Sequence, residues 1–206
     1  MKTTANKISQ IVSIVLIFSA FFLLNDCSKS PQEKVKTVLA NAQLSEEDKI
    51  KMAAFSLFGE RLKEIDITKV DDTKGTKYEI YLGFGGTSAL TFLGSDQYAN
   101  QMKLELALGT YRFLQCLKGF RIGKYRMSLI KPFFIKNGEA RGAEEFEIYR
   151  FRADAEELKT IEGFQETDSF ASDNYDVPTE KVIEVLNRIV ENWKVELDQF
   201  ARIEIK

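Results

Sequence analysis

The chain contains no histidine. That absence removes Ser-His and Cys-His nucleophilic catalysis, two-histidine iron sites, ordinary histidine zinc sites and histidine pH switching. An enzyme built on this sequence would have to work with carboxylates, lysine, tyrosine, serine or a hard cation. Cysteine is nearly absent, with only Cys27 and Cys116 in 206 residues, so no disulfide framework is expected. No excess of one sign exists either. Lys and Arg number 29 against 31 Asp and Glu, interspersed, for a net charge of −2. Without a basic block to track a phosphate backbone, nucleic acid is not the expected partner. Beyond residue 24 there is no long apolar run.

The one such run lies near the start. Lys2 and Lys7 precede Ile11 to Leu24, fourteen uncharged residues, and Leu24-Asn25-Asp26-Cys27 is followed at once by polar Ser28-Lys29-Ser30-Pro31. Fourteen helical residues cover roughly 21 Å, short of a hydrocarbon core of about 30 Å. A charged start, a short apolar run and a processing site form the layout of a signal peptide. Leu24 three residues before Cys27 resembles the lipobox of bacterial lipoprotein precursors, in a relaxed form such as spirochaetal lipoproteins carry. The resemblance covers residues 1–27 only. Asn25 and Asp26 stand where the family has a small pair, and Asp26 is the worse fit. The resemblance implies cleavage before Cys27, acylation of Cys27 and a membrane partner reached through that lipid, as two or three chains hold a domain firmly. Ser28 lacks the acidic retention signal of well-studied lipoprotein sorting, which points to the outer membrane. Two alternatives stay open. From Ile8 the run reaches seventeen residues, the lower edge of a retained anchor. Ordinary cleavage after Ser30 would leave Pro31 behind the cut, a poor substrate.

The expected organisation is a signal peptide over 1–26, a lipidation site and short tether over 27–31, and one domain over 32–206. Removing the leader makes the remainder one unit more acidic. The spacing predicts helices over 32–43 and from Ser45 to Gly59, with Ile50, Ala53, Ala54, Leu57 and Phe58 on one face. A hairpin follows, Leu62–Val70 and Thr76–Phe84, turning at Asp71–Gly75. A long helix over 96–118 comes next, then a second pair of strands, Phe120–Lys136 and Ala143–Arg152. A short helix is expected over 154–161, and residues 162–177 show no period. Val182, Val185, Leu186, Ile189, Trp193, Leu197 and Phe200 predict a long amphipathic C-terminal helix over 179–203 that packs on the domain's own sheet. Its other face mixes Glu and Lys, unlike a membrane-surface helix. The expected fold is therefore α+β: an antiparallel sheet built from two β-hairpins with packed helices. Tyr78-Glu79-Ile80-Tyr81 echoes Phe146-Glu147-Ile148-Tyr149, either a duplicated ββα unit or a chance likeness of two aromatic strands.

Candidate sites are few. Gly83-Phe84-Gly85-Gly86-Thr87-Ser88 could cradle an anion, yet it lacks the lysine of a P-loop and reads equally as a turn. Asp168, Asp173, Asp176 and Glu180 do not have calcium-loop spacing and read as a solvated acidic loop. Cys116 lies in an apolar helical context and reads as a small buried hydrophobe. No metal or other cofactor is expected. Phe133, Phe134, Tyr149 and Phe151, on paired strands, form either a core sheet or an apolar groove for a lipid or protein partner. The sequence thus favours an exported, lipid-anchored envelope protein acting as a non-enzymatic binding or structural module. The alternatives are an envelope enzyme using carboxylates, for example on glycans, and a lipid-binding module with an apolar groove.

Overall fold

The structure, a computed structural model, describes residues 29–85, 95–133, 144–170 and 177–200. Cys27 therefore lies outside the described residues, and the chain enters the fold at Ser30. This serine caps α1, Pro31–Ala40, through a capping box. Its Oγ accepts from the Glu33 amide at 3.3 Å, and its own amide donates to Glu33 Oε2 at 2.9 Å. Ser45 caps α2, Glu46–Phe58, where three acidic residues face the positive helix end. Gly59, at φ 55°, ends it in a conformation that a side chain would strain.

A 3₁₀ turn, Gly59–Arg61, leads into β1, Leu62–Asp72, which pairs antiparallel with β2, Gly75–Gly85. Arg121 clamps their turn with a fork, Nη1 to Asp72 Oδ1 at 2.9 Å and Nη2 to Oδ2 at 2.8 Å, and Nη1 also donates to the Gly75 carbonyl. α3, Ser95–Cys116, then crosses to β3, Ile122–Phe133. β4, Glu144–Asp154, returns beside β3, and Asp154 caps the short α4, Ala155–Leu158. α5, Glu180–Asn192, and β5, Lys194–Asp198, complete the fold.

The α+β class holds, as do both hairpins, but two expectations fail. The sheet is mixed, in the order β1-β2-β3-β4-β5, with β2 and β3 parallel. The reason lies in lengths. A 22-residue helix runs about 33 Å, and an 11-residue strand runs about 36 Å, so α3 carries the chain back to the end where β2 began. Nor is there a long C-terminal helix. α5 stops at Asn192, whose side-chain amide bonds the Arg188 carbonyl at 2.8 Å, and Trp193 is extended at φ −90°, ψ 159°. Lys194 to Asp198 then alternates in polarity and pairs antiparallel with the free edge of β4. Trp193, Val195 and Leu197 satisfy a period of two, while Ile189, Trp193, Leu197 and Phe200 satisfy a helix. An open strand edge, with its unpaired amides and carbonyls, decides for the strand.

The core lies between the sheet and its helices. Tyr78, Ile80, Leu82 and Phe84 of β2, Tyr125, Met127 and Leu129 of β3, and Tyr149, Phe151 and Ala153 of β4 face it. Val182, Val185, Leu186 and Ile189 of α5 are buried there as well. Rings run across the layer from Phe84 to Phe58, Phe113, Tyr125 and Phe151, ending on Trp193, which stacks on Phe151 at 3.9 Å. The repeated tetrapeptide does not hold equivalent places. An extra residue in β4, between the pairs Leu129–Tyr149 and Ile130–Glu147, turns Tyr149 into the core, whereas Tyr81 faces the other way.

Candidate functional site

The expected site residues fall in different places. Tyr149 and Phe151 are fully buried and covered by Trp193 and Phe200, so both belong to the core wall. The Phe133 side chain and Phe134 lie outside the described residues, as do Asp173 and Asp176. Gly83 and Gly85 sit inside β2, where Gly83 packs closely against Ile130 and Glu64 and Gly85 lies under the movable end of Lys63. A Cβ at Gly83 would stand 2.9 Å from Ile130 Cδ1, and one at Gly85 would stand 2.8 Å from Lys63 Cε. The remainder of the glycine-rich stretch, 86–94, is outside the described residues.

What the sequence did not reveal is the outer face of the sheet, away from the helices. Register places Tyr81 beside Arg126, Gly83 beside Ser128, Ser128 beside Arg150 and Arg126 beside Arg152. Three guanidiniums thereby crowd one patch, an arrangement that repels unless a counter-charge enters. Glu196 supplies it from β5, at the extra residue between the pairs Arg150–Leu197 and Phe151–Val195. Its carboxylate takes a two-pronged contact from Arg126, Nε to Oε2 at 3.0 Å and Nη2 to Oε1 at 3.1 Å, and stands 3.5 Å from Arg150 Nε and Arg152 Nε. Glu147 accepts from the Ser128 hydroxyl and lies 3.5 Å from Arg150 Nε. Towards β1 the sign changes, with Glu64 accepting from the Tyr81 hydroxyl and Glu79 pairing with Lys124. No described helix covers this face, and β3, β4 and β5 make it predominantly basic.

Among the described residues the helix side carries two clefts. One, of about 380 Å³, lies between α1, the C-terminal end of α3 and the loop following α4. Val35, Leu39, Cys116 and Phe170 line it together with Lys36, Lys118, Glu166 and Asp168. Its loop wall has no secondary structure, but α3 holds it through carbonyls. The Tyr111 hydroxyl donates to the Thr167 carbonyl at 2.7 Å, and Gln115 Nε2 donates to the same oxygen at 2.7 Å. Gln115 Oε1 accepts from the Ser169 hydroxyl at 2.5 Å. Cys116 faces this cleft half-buried, and burial pushes its thiol up to about 12, with Lys36 and Arg112 opposing weakly. At neutral pH it is a thiol, not a nucleophile.

The second cleft, of about 920 Å³, runs between the loop and α5, where Arg188 bridges to Glu162 at 2.7 Å. Asp168 and Glu180 line it, among other exposed carboxylates. Among the described residues no group of three His, Cys, Asp or Glu could hold a metal ion, and no helix is long and apolar enough to cross a membrane.

A separate charged cluster closes the far end of α3. Arg61 lies 4.1 Å above the Phe84 ring, bonds the Gly85 carbonyl and pairs with Glu105 at 2.5 Å. Lys131, nearly buried at the end of β3, sits 5.7 Å over the Tyr98 ring. Burial pushes its ammonium down, and Glu105 opposes this.

No family model matches the chain, and neither the curated proteins nor the solved structures contain a significant match.

Proposed function

We propose that the chain is an exported lipoprotein of the cell envelope, anchored through acylated Cys27, and that its folded domain is a non-enzymatic binding module. The observation that carries this reading is the order of events at the N-terminus: a basic start, a short apolar run, Leu24 and Cys27, then a folded domain capped at Ser30. Pro31, the first residue of α1, is four residues beyond the acylated position, and four extended residues span about 14 Å at most. Such a tether holds the domain against the bilayer. α1 belongs to the helix layer, so the helix side approaches the lipid and the charged sheet face points away, free to meet a partner in water. The outer membrane is the expected destination.

Growth with a labelled fatty acid tests the anchor. The wild-type chain takes up label and fractionates with membranes. Cys27→Ala takes up none and remains as a longer precursor. Equal labelling of the two proteins, or none of the wild type, overturns the reading.

A further inference from the structure

We infer that the smaller cleft takes a zwitterionic phospholipid from the membrane that holds the chain. This deepens the lipoprotein reading and rests on it. Three observations support it. The cleft, about 380 Å³, is within the range of small-ligand sites, and its lining is mixed in the way such a lipid demands. Val35, Leu39 and Phe170 offer apolar surface for the first acyl carbons, beside a thiol kept neutral by its surroundings. Lys36 and Lys118 suit the phosphate, and Glu166 suits the ammonium. An anionic headgroup without an amine would leave Glu166 and Asp168 opposing it.

The place of the cleft is the third observation. Gln32 lines it, five residues beyond Cys27, and five extended residues span about 17 Å at most. The anchor thus keeps this cleft within a lipid's reach of the bilayer through its own α1 wall. The larger cleft has no residue of α1 in its lining.

The test uses the full-length protein in maltoside micelles with a short-chain phosphatidylethanolamine carrying a diazirine on its acyl chain. After irradiation, crosslinks should concentrate on peptides containing residues 32–39, 116–118 and 165–170. Unlabelled phosphatidylethanolamine should compete about tenfold better than phosphatidylglycerol of the same chain length, as one charge-assisted contact would give. Phosphoethanolamine, a headgroup without chains, should not compete. The pair Lys36→Glu and Lys118→Glu, both exposed, should lower crosslinking about tenfold without shifting the melting temperature. Crosslinks scattered over the surface, or equal competition by the two lipids, overturn the inference. The competition arm needs no variant, so it decides even if the double substitution unfolds. Fatty-acid labelling of Cys27 in the same preparation separates the two readings. Labelled Cys27 with scattered crosslinks sinks the cleft alone. Unlabelled Cys27 sinks the anchor.

Discussion

The charge state of Asp72 is set by its neighbours. The Arg121 fork, and next the Lys74 amide, hold its carboxyl down to about 2, against 3.8 ordinarily. Because the folded value is depressed, the stabilisation is present above pH 4 and is lost as pH falls through about 2. A carboxyl-detected NMR titration should find Asp72 titrating near 2, and Arg121→Ala should raise it part of the way to the ordinary range, since the Lys74 amide remains. A midpoint near 4 in the wild type would mean that the clamp is not formed in solution. Cys116 gives a second expectation of this kind. With its thiol pushed to about 12 by burial, the alkylation rate should still be rising at pH 10, where an ordinary cysteine has levelled off. A plateau above pH 9 would show that water reaches the thiol freely. The sequence suggested that Cys116 was buried, from its apolar helical setting. It gave no sign of the lysine, glutamate and phenylalanine around it, which arrive from α1 and from a loop fifty residues on.

At the scale of elements, what was legible is what is written locally. Ser45, Gly59 and the Asp71–Gly75 turn each act within a few residues, and the helix and hairpin they bound are where the spacing put them. What was not legible is what depends on a distant edge. β5 exists because β4 offered unpaired amides, and no window over 179–203 contains that fact. Backbone chemical shifts should therefore be helical for 180–192 and strand-like for 194–198. A continuous helical run to 200 would refute the strand. Trp193 keeps its predicted role despite the broken helix, since it is nearly buried and stacked on Phe151. Trp193→Ala should cost roughly 3–5 kcal/mol in a denaturant melt, as for other large core truncations. The aperiodic loop from 162 to 170 is the converse case. Its sequence has no pattern, and its order comes from Tyr111 and Gln115 on α3. Tyr111→Phe should cost about 1–2 kcal/mol, because Gln115 still donates to the Thr167 carbonyl.

The whole molecule has two unlike sides, and under the proposed anchoring the polarity of the chain decides which one would meet the bilayer. The helix side bears α1, and so the proposed tether. The sheet side bears the Arg126, Arg150 and Arg152 patch around Glu196, a feature assembled from three strands and so invisible before their register is known. β1, an edge strand of 11 residues, protects that side from pairing with another sheet by its charges at Lys63, Glu64, Asp66, Lys69, Asp71 and Asp72. Orientation can be measured with nitroxide labels on the lipidated protein in vesicles, in a Cys116→Ser background. Thr37→Cys places a label on the exposed side of α1, and Arg152→Cys places one on the sheet face, where the native side chain is 51% exposed. Under the proposed anchoring, a tether of about 14 Å would keep position 37 near the lipid, while the sheet layer would stand one further helix layer away, about 10 Å more. The label at 37 should relax mainly with bilayer-dissolved oxygen, and the label at 152 mainly with a water-soluble nickel chelate. The reverse ranking would put the arginines against the membrane and make the sheet face, not the cleft beside α1, the surface that meets lipid.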